Sequence, residues 1–215
     1  MNGDPSGVQF DIGKLVGRAW EAFTKNVPAM VGGFAIIAAV GIAIQFLIPI
    51  PIVNLLVGWV ITGPLALGYY AAALRCARGE TAAIGDIFNG FQRFLPAAMA
   101  MVLISIATTI GAVLCILPGL FIALLYMLTY LFMHDNTLDF WPAMERSRTA
   151  VMANLGQWLL VFLTFVILII VGIVLFGVGV LVTGPLAVLV VAAAYEQVYG
   201  AGGPSPDGAE PLIEA

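Results

Sequence analysis

The stretch Thr62-Gly63-Pro64-Leu65-Ala66 occurs a second time as Thr183-Gly184-Pro185-Leu186-Ala187. After four further residues each copy is followed by three alanines, Ala71 to Ala73 and Ala192 to Ala194. Eight of these twelve positions are identical, at a constant offset of 121. Both copies lie inside long runs that carry no charge, which makes them a duplicated membrane element. The fold class expected from them is all-α and integral to a membrane.

Working outward, the charge pattern agrees. Of 215 residues, 62% are hydrophobic and 9% charged, whereas a soluble domain carries about 25% charged residues. Three blocks hold no Asp, Glu, Lys or Arg: 26–74, 94–133 and 149–195, with 49, 40 and 47 residues. One span needs about 20 apolar residues, so each block is long enough for a hairpin of two. Proline removes a backbone donor and clashes with the preceding turn, so Pro49 and Pro51 break the first block. Pro118-Gly119 breaks the second, and Gly177 with Gly179 bends the third. The expected spans lie near 28–48, 52–74, 95–116, 119–135, 156–176 and 180–199.

Each hairpin is preceded by a segment with a polar side. Ile12, Leu15, Val16, Ala19, Trp20 and Phe23 form one stripe at helical spacing, opposite Asp11, Lys14, Arg18, Glu21 and Lys25. A helix of this kind lies in the bilayer interface rather than crossing it. A second segment places Ile84, Ile87, Phe88, Phe91 and Leu95 opposite Asp86, Asn89 and Arg93. A third runs from Thr137 to about Asn154, with Asp139 as its N-cap and Pro142 in its first turn.

The expected organisation is therefore six transmembrane helices in three hairpin repeats, each preceded by an amphipathic interfacial helix. Two spans per unit make successive units enter from the same side, so the repeats are parallel. Residues 10–199 form this membrane domain. Residues 1–9 read as a flexible tail and 200–215 as a disordered, acidic one. The first 25 residues do not read as a signal peptide, since Asp4 and Asp11 occupy the place of its basic region. All eight basic residues fall on the side that holds both termini. Positive charge stays inside, which predicts a cytoplasmic (inner) membrane protein with both termini cytoplasmic.

Small-residue faces at four-residue spacing, Ala35-Ala39-Ala43 and Gly58-Thr62-Ala66, are read as close-packing surfaces between helices. Cys76 and Cys115 are expected near opposite bilayer faces, too far apart for a disulfide. The sharpest intramembrane feature is the duplicated motif itself. Pro64 frees the carbonyl of Val60 and Pro185 that of Leu181, with Thr62 and Thr183 as local partners for them. Thr62, Gly63, Pro64, Thr183, Gly184 and Pro185 are thus the candidate kink or solute site.

Proton relays and ion pathways place ionisable groups inside the bilayer, and the expected spans hold none at depth. No catalytic constellation, cofactor site or metal-ligand cluster is legible. The single histidine, His134, rules out a paired-histidine metalloprotease site and is expected as a helix-end residue rather than a cation ligand beside Asp135 and Asp139. A pI near 4.7 argues against nucleic acid.

Gly85-Asp86-Ile87-Phe88 with Gly90-Phe91, the Leu117-Pro118-Gly119 turn, Asn154-Leu155-Gly156 and the Gly-Pro-Leu element together carry a family likeness. Over about residues 8–199 the chain resembles the six-span bacterial proteins related to the membrane domain of some glycerophosphodiester phosphodiesterases. In that family the enzyme is a separate soluble domain, so the resemblance implies the fold and not the phosphodiesterase activity. The expected function is that of a non-enzymatic membrane protein packing against membrane lipids, a partner protein or its own copies. The alternative is a transporter or channel for an apolar or lipid-like solute that uses spans two and six.

Overall fold

The computed structural model describes residues 9–175, 177 and 179–200. The two expected tails lie outside the described residues, apart from Gln9 and Gly200. Among the described residues the chain is helical with no strand. The helices are α1 (Ile12–Lys25), α2 (Val27–Leu47), α3 (Pro51–Ala77), α4 (Phe94–Leu114), α5 (Ile116–Tyr126), α6 (Thr129–Asp135), α7 (Phe140–Ala153), α8 (Leu155–Val174) and α9 (Val180–Tyr199). A 3-10 helix, Ile84–Arg93, leads into α4. Six helical segments are long and apolar enough to cross a membrane: α2, α3, Ile84–Leu114, Ile116–Asp135, α8 and α9. The protein is a multi-pass membrane protein.

Local chemistry accounts for the helix ends. Asp11 caps α1 by accepting from the Lys14 N–H at 3.1 Å, and Asp139 caps α7 from the Phe140 N–H at 2.8 Å. Pro51 opens α3 at a position whose N–H has no helical partner in any case. Asn54 closes that turn, its amide donating to the Ile44 and Ile48 carbonyls at 3.0 and 3.1 Å. Gly177 adopts φ +74 in the α8–α9 turn, a conformation that costs most other residues energy.

Two details of the second hairpin differ from the expectation. The break falls at Cys115, whose backbone is extended, and not at Pro118-Gly119. Those two residues sit in the first turn of α5, where a missing N–H is tolerated. Span four is also not one helix. It stops at Tyr126 and resumes at Thr129. Ser147 of α7 bonds the broken backbone, accepting from the Leu128 N–H at 3.2 Å and donating to the Leu125 carbonyl at 2.7 Å.

The second helix of each hairpin is the inner one. Buried residues make up 33% of the apolar stretch of α3, 44% of that of α5–α6 and 67% of that of α9, against 22% in the first span of each hairpin. Small side chains allow this close approach. Ala72 and Ala73 of α3, followed by Leu74, and Ala192 to Ala194 of α9 are all buried in one core. The buried stripe of α1 (Leu15, Ala19, Ala22, Phe23) joins the same core and packs on α9. Both described chain ends meet there, since Phe10 packs edge-on against Trp158, which stacks on Tyr199. We call this end of the bundle the terminal face and the hairpin turns the distal face.

The expected small-residue faces meet other helices only in part, at Ala66, which packs against the core. Ala39 and Ala43 are exposed, and a Cβ on Gly58 would meet no atom within 4 Å. Backbone approach instead occurs at Gly68 and Gly90. A Cβ on Gly68 would strike the Ile87 carbonyl, and one on Gly90 the Pro64 carbonyl. Those two glycines let the 3-10 helix lie directly on α3.

Candidate functional site

The duplicated motif lies within two of the inner helices. Gly63, Pro64, Gly184 and Pro185 are all buried. A Cβ on Gly63 would come within 2.6 Å of the Ala97 carbonyl of α4, and one on Gly184 within 2.6 Å of the Phe34 ring of α2. Thr183 packs against Gly172 of α8. The threonines do not serve the carbonyls expected of them. Thr62 Oγ1 donates to the Gly58 carbonyl at 2.6 Å and Thr183 Oγ1 to the Gly179 carbonyl at 3.1 Å. A threonine hydroxyl in a helix reaches the carbonyl four residues back, which is neither Val60 nor Leu181. One copy of the motif thus meets α4 through Gly63, and the other meets α2 through Gly184 and α8 through Thr183.

The polar chemistry sits at the terminal face instead. Arg78, at the end of α3, donates through Nη2 to Asp135 at 2.7 Å and through Nε to Glu196 at 2.8 Å. Asp135 ends α6 and Glu196 lies in the last turn of α9, so one guanidinium ties the three inner helices together. Tyr195 Oη donates to the other Asp135 oxygen at 3.1 Å and accepts from the Asn136 amide at 3.3 Å. The side chains of Arg78, Asp135 and Glu196 are 30%, 19% and 16% exposed. Burial acts to lower the Arg78 pKa, but its two carboxylate partners outweigh that and raise it.

A second cluster lies beside it. Arg75 donates to Glu80 and Asp86, each at 2.9 Å, and to the Thr81 carbonyl at 3.2 Å. Asp86 also accepts from the Ala83 N–H at 2.9 Å, capping the 3-10 helix. Asn26, buried between α1 and α2, accepts from the Ala82 N–H at 3.0 Å and so holds the same loop. Among the described residues Arg93 bonds only carbonyls: Met133 at 2.6 Å, Leu138 at 2.7 Å and Thr137 at 3.2 Å. A cation at the end of α6 suits the negative end of that helix.

Between these groups opens a cleft of about 300 Å³. Its floor is Leu67, Gly68, Ala71 and Ala72 of α3 with Gly90; its walls include Arg75, Arg93, Asn89, Gln92, His134 and Thr137. A second, apolar groove of about 570 Å³ runs between α5 (Leu117, Pro118, Leu120, Phe121, Leu124) and α8 (Leu159, Phe162, Leu163).

Neither feature is foreseen from the sequence. There each basic residue reads as a topology marker, whereas α3, the 3-10 helix and α6 bring Arg75, Arg93 and His134 to one cleft. Part of the signal is present, since Asp86, Asn89 and Arg93 share one polar side of their segment. Asp135 and Asp139 do not join His134 around a cation: Asp135 holds Arg78, and Asp139 caps α7. Among the described residues no three of His, Cys, Asp and Glu form a metal-binding group. Cys76 is buried, Cys115 is exposed, and both are free.

No protein-family model, curated protein or solved structure matches the chain.

Proposed function

We propose that the protein is a non-enzymatic component of the cytoplasmic membrane that acts by packing against lipids or a partner protein, with both termini inside. The observation that carries this reading is the contrast between its terminal face and its middle. The duplicated motif is filled by helix contacts, while the ion pairs of Arg75 and Arg78 gather at the terminal face. Along α3 and α9 the hydroxyls of Thr62 and Thr183 are engaged by carbonyls of their own helices, and on this reading the apolar groove between α5 and α8 faces the hydrocarbon, where acyl chains are the surrounding medium.

The three hairpins are, on this reading, parallel repeats. Burial of the second helix in each supports that, as does the arrival of Arg78, Asp135 and Glu196 at one point. The exposed faces of α1, the 3-10 helix and α7 carry Trp20, Phe88, Phe91 and Trp141, residues suited to the headgroup level, and serve as interfacial helices. The kinship with the membrane domain of glycerophosphodiester phosphodiesterases belongs to the same proposal.

Purification in a mild detergent, with identification of co-eluting lipids and proteins, tests it. Retained lipid or a stoichiometric partner is expected. A delipidated, partnerless and fully stable monomer would count against it.

One observation favours transport of an apolar or lipid-like solute. Span four is broken, and Thr129, at the start of α6, is fully buried with its hydroxyl unpartnered among the described residues. Broken helices are used by transporters as binding sites. The site of that second reading is then α5–α6 rather than Pro64 and Pro185.

A further inference from the structure

We propose that the cleft between α3, the 3-10 helix and the α6–α7 link is a phosphoryl-binding site, with Arg93 as its anchor and a lipid phosphate as its occupant. The floor exists because Gly68 and Gly90 let two backbones touch, so the cleft is built into the packing rather than left by a loop. Its charges do not cancel. Arg75 is held by two carboxylates, Glu80 and Asp86, whereas Arg93 faces three carbonyls and, among the described residues, no carboxylate.

The donors are also in excess. A guanidinium carries five N–H groups in a fixed fork, and the hydrogen bonds of Arg93 engage three of them. The side-chain amides of Asn89 and Gln92 and the hydroxyl of Thr137 have no partner among the described residues, and all three residues are exposed on the cleft side of the protein. The one carboxylate of the lining, Asp86, is engaged by Arg75 and the Ala83 N–H. A ligand that complements this lining is an anion with several acceptor oxygens, and Arg matches phosphate with both charge and fork geometry.

Position supplies the rest. Leu67, Ala71 and Ala72 make the inner floor apolar, and the segment that carries Asn89, Gln92 and Arg93 also bears the exposed, mutually stacked rings of Phe88, Phe91 and Phe94. An apolar floor with a polar rim fits an amphiphile whose phosphate lies at the membrane surface. The lipid source, though not the phosphoryl site, rests on the proposed function.

The test uses the full chain in detergent, with phosphatidylglycerol followed by native mass spectrometry and inorganic phosphate followed by thermal shift. The comparison is Asn89→Asp with Gln92→Glu, which adds negative charge to the rim. Should that pair melt lower without ligand, Asn89→Ala with Gln92→Ala replaces it. Phosphatidylglycerol retained by the parent and weakened at least tenfold in the variant is expected. Binding of inorganic phosphate alone, lost in the variant, keeps the site but removes its lipid source and the lipid half of the proposed function. Binding of neither ligand, or binding that the variants leave unchanged, overturns the proposal.

Discussion

At the scale of single residues, the fold depends on a few places where no side chain fits. Gly68→Ala sets a methyl group against the Ile87 carbonyl, a backbone atom that cannot rotate away. Overpacking of this kind costs about 1–3 kcal/mol, so the variant should melt well below the parent in detergent. Gly58→Ala meets open space and adds helix propensity, so it should melt at or slightly above the parent. Equal melting of the two would refute this account of α3. Arg78 is sensitive for a different reason. Arg78→Ala leaves Asp135 and Glu196 close together without their shared cation, and losing one side of a partly buried pair costs on the order of 1–3 kcal/mol. Glu196→Gln, which keeps a hydrogen-bond acceptor, should cost less; a larger loss from it than from Arg78→Ala would contradict the tie.

Elements differ in how far the sequence discloses them. Uncharged blocks and their proline and glycine punctuation locate the spans, because hydropathy and helix breaking act locally. The α5–α6 break is not legible. The run from Met127 to Thr129 contains no breaker, and the interruption is sustained by Ser147, a side chain on another helix. The cleft stays hidden for a related reason, since its walls come from three elements and His134 and Thr137 join it from about 40 residues beyond Arg93. The duplicated Thr-Gly-Pro-Leu-Ala motif is legible as a packing landmark, yet its threonines bond their own helices and not the carbonyls freed by proline. Ser147→Ala tests the α5–α6 joint. It leaves the Leu128 N–H and Leu125 carbonyl without their partner, at about 1–3 kcal/mol. Amide exchange should quicken around 125–131, while exchange in α9 stays at the parent's rate; uniform quickening across all helices would argue against a local stitch.

At the scale of the whole molecule, an inner layer of α3, α5–α6 and α9 is wrapped by α2, α4 and α8, with the ion pairs of Arg75 and Arg78 drawn to the terminal face. The exposed apolar residues of α2, α4 and α8 give the molecule a large apolar perimeter, and the proposed packing role predicts no ion path between the faces. Flux in liposomes containing only this protein measures that claim most directly. Proton, potassium and fluorescent-lipid movement should all match empty liposomes, and Pro64→Ala with Pro185→Ala should change nothing but stability. Robust flux of any of the three, by a protein that folds and inserts, would contradict the account, whether or not that double substitution abolishes it.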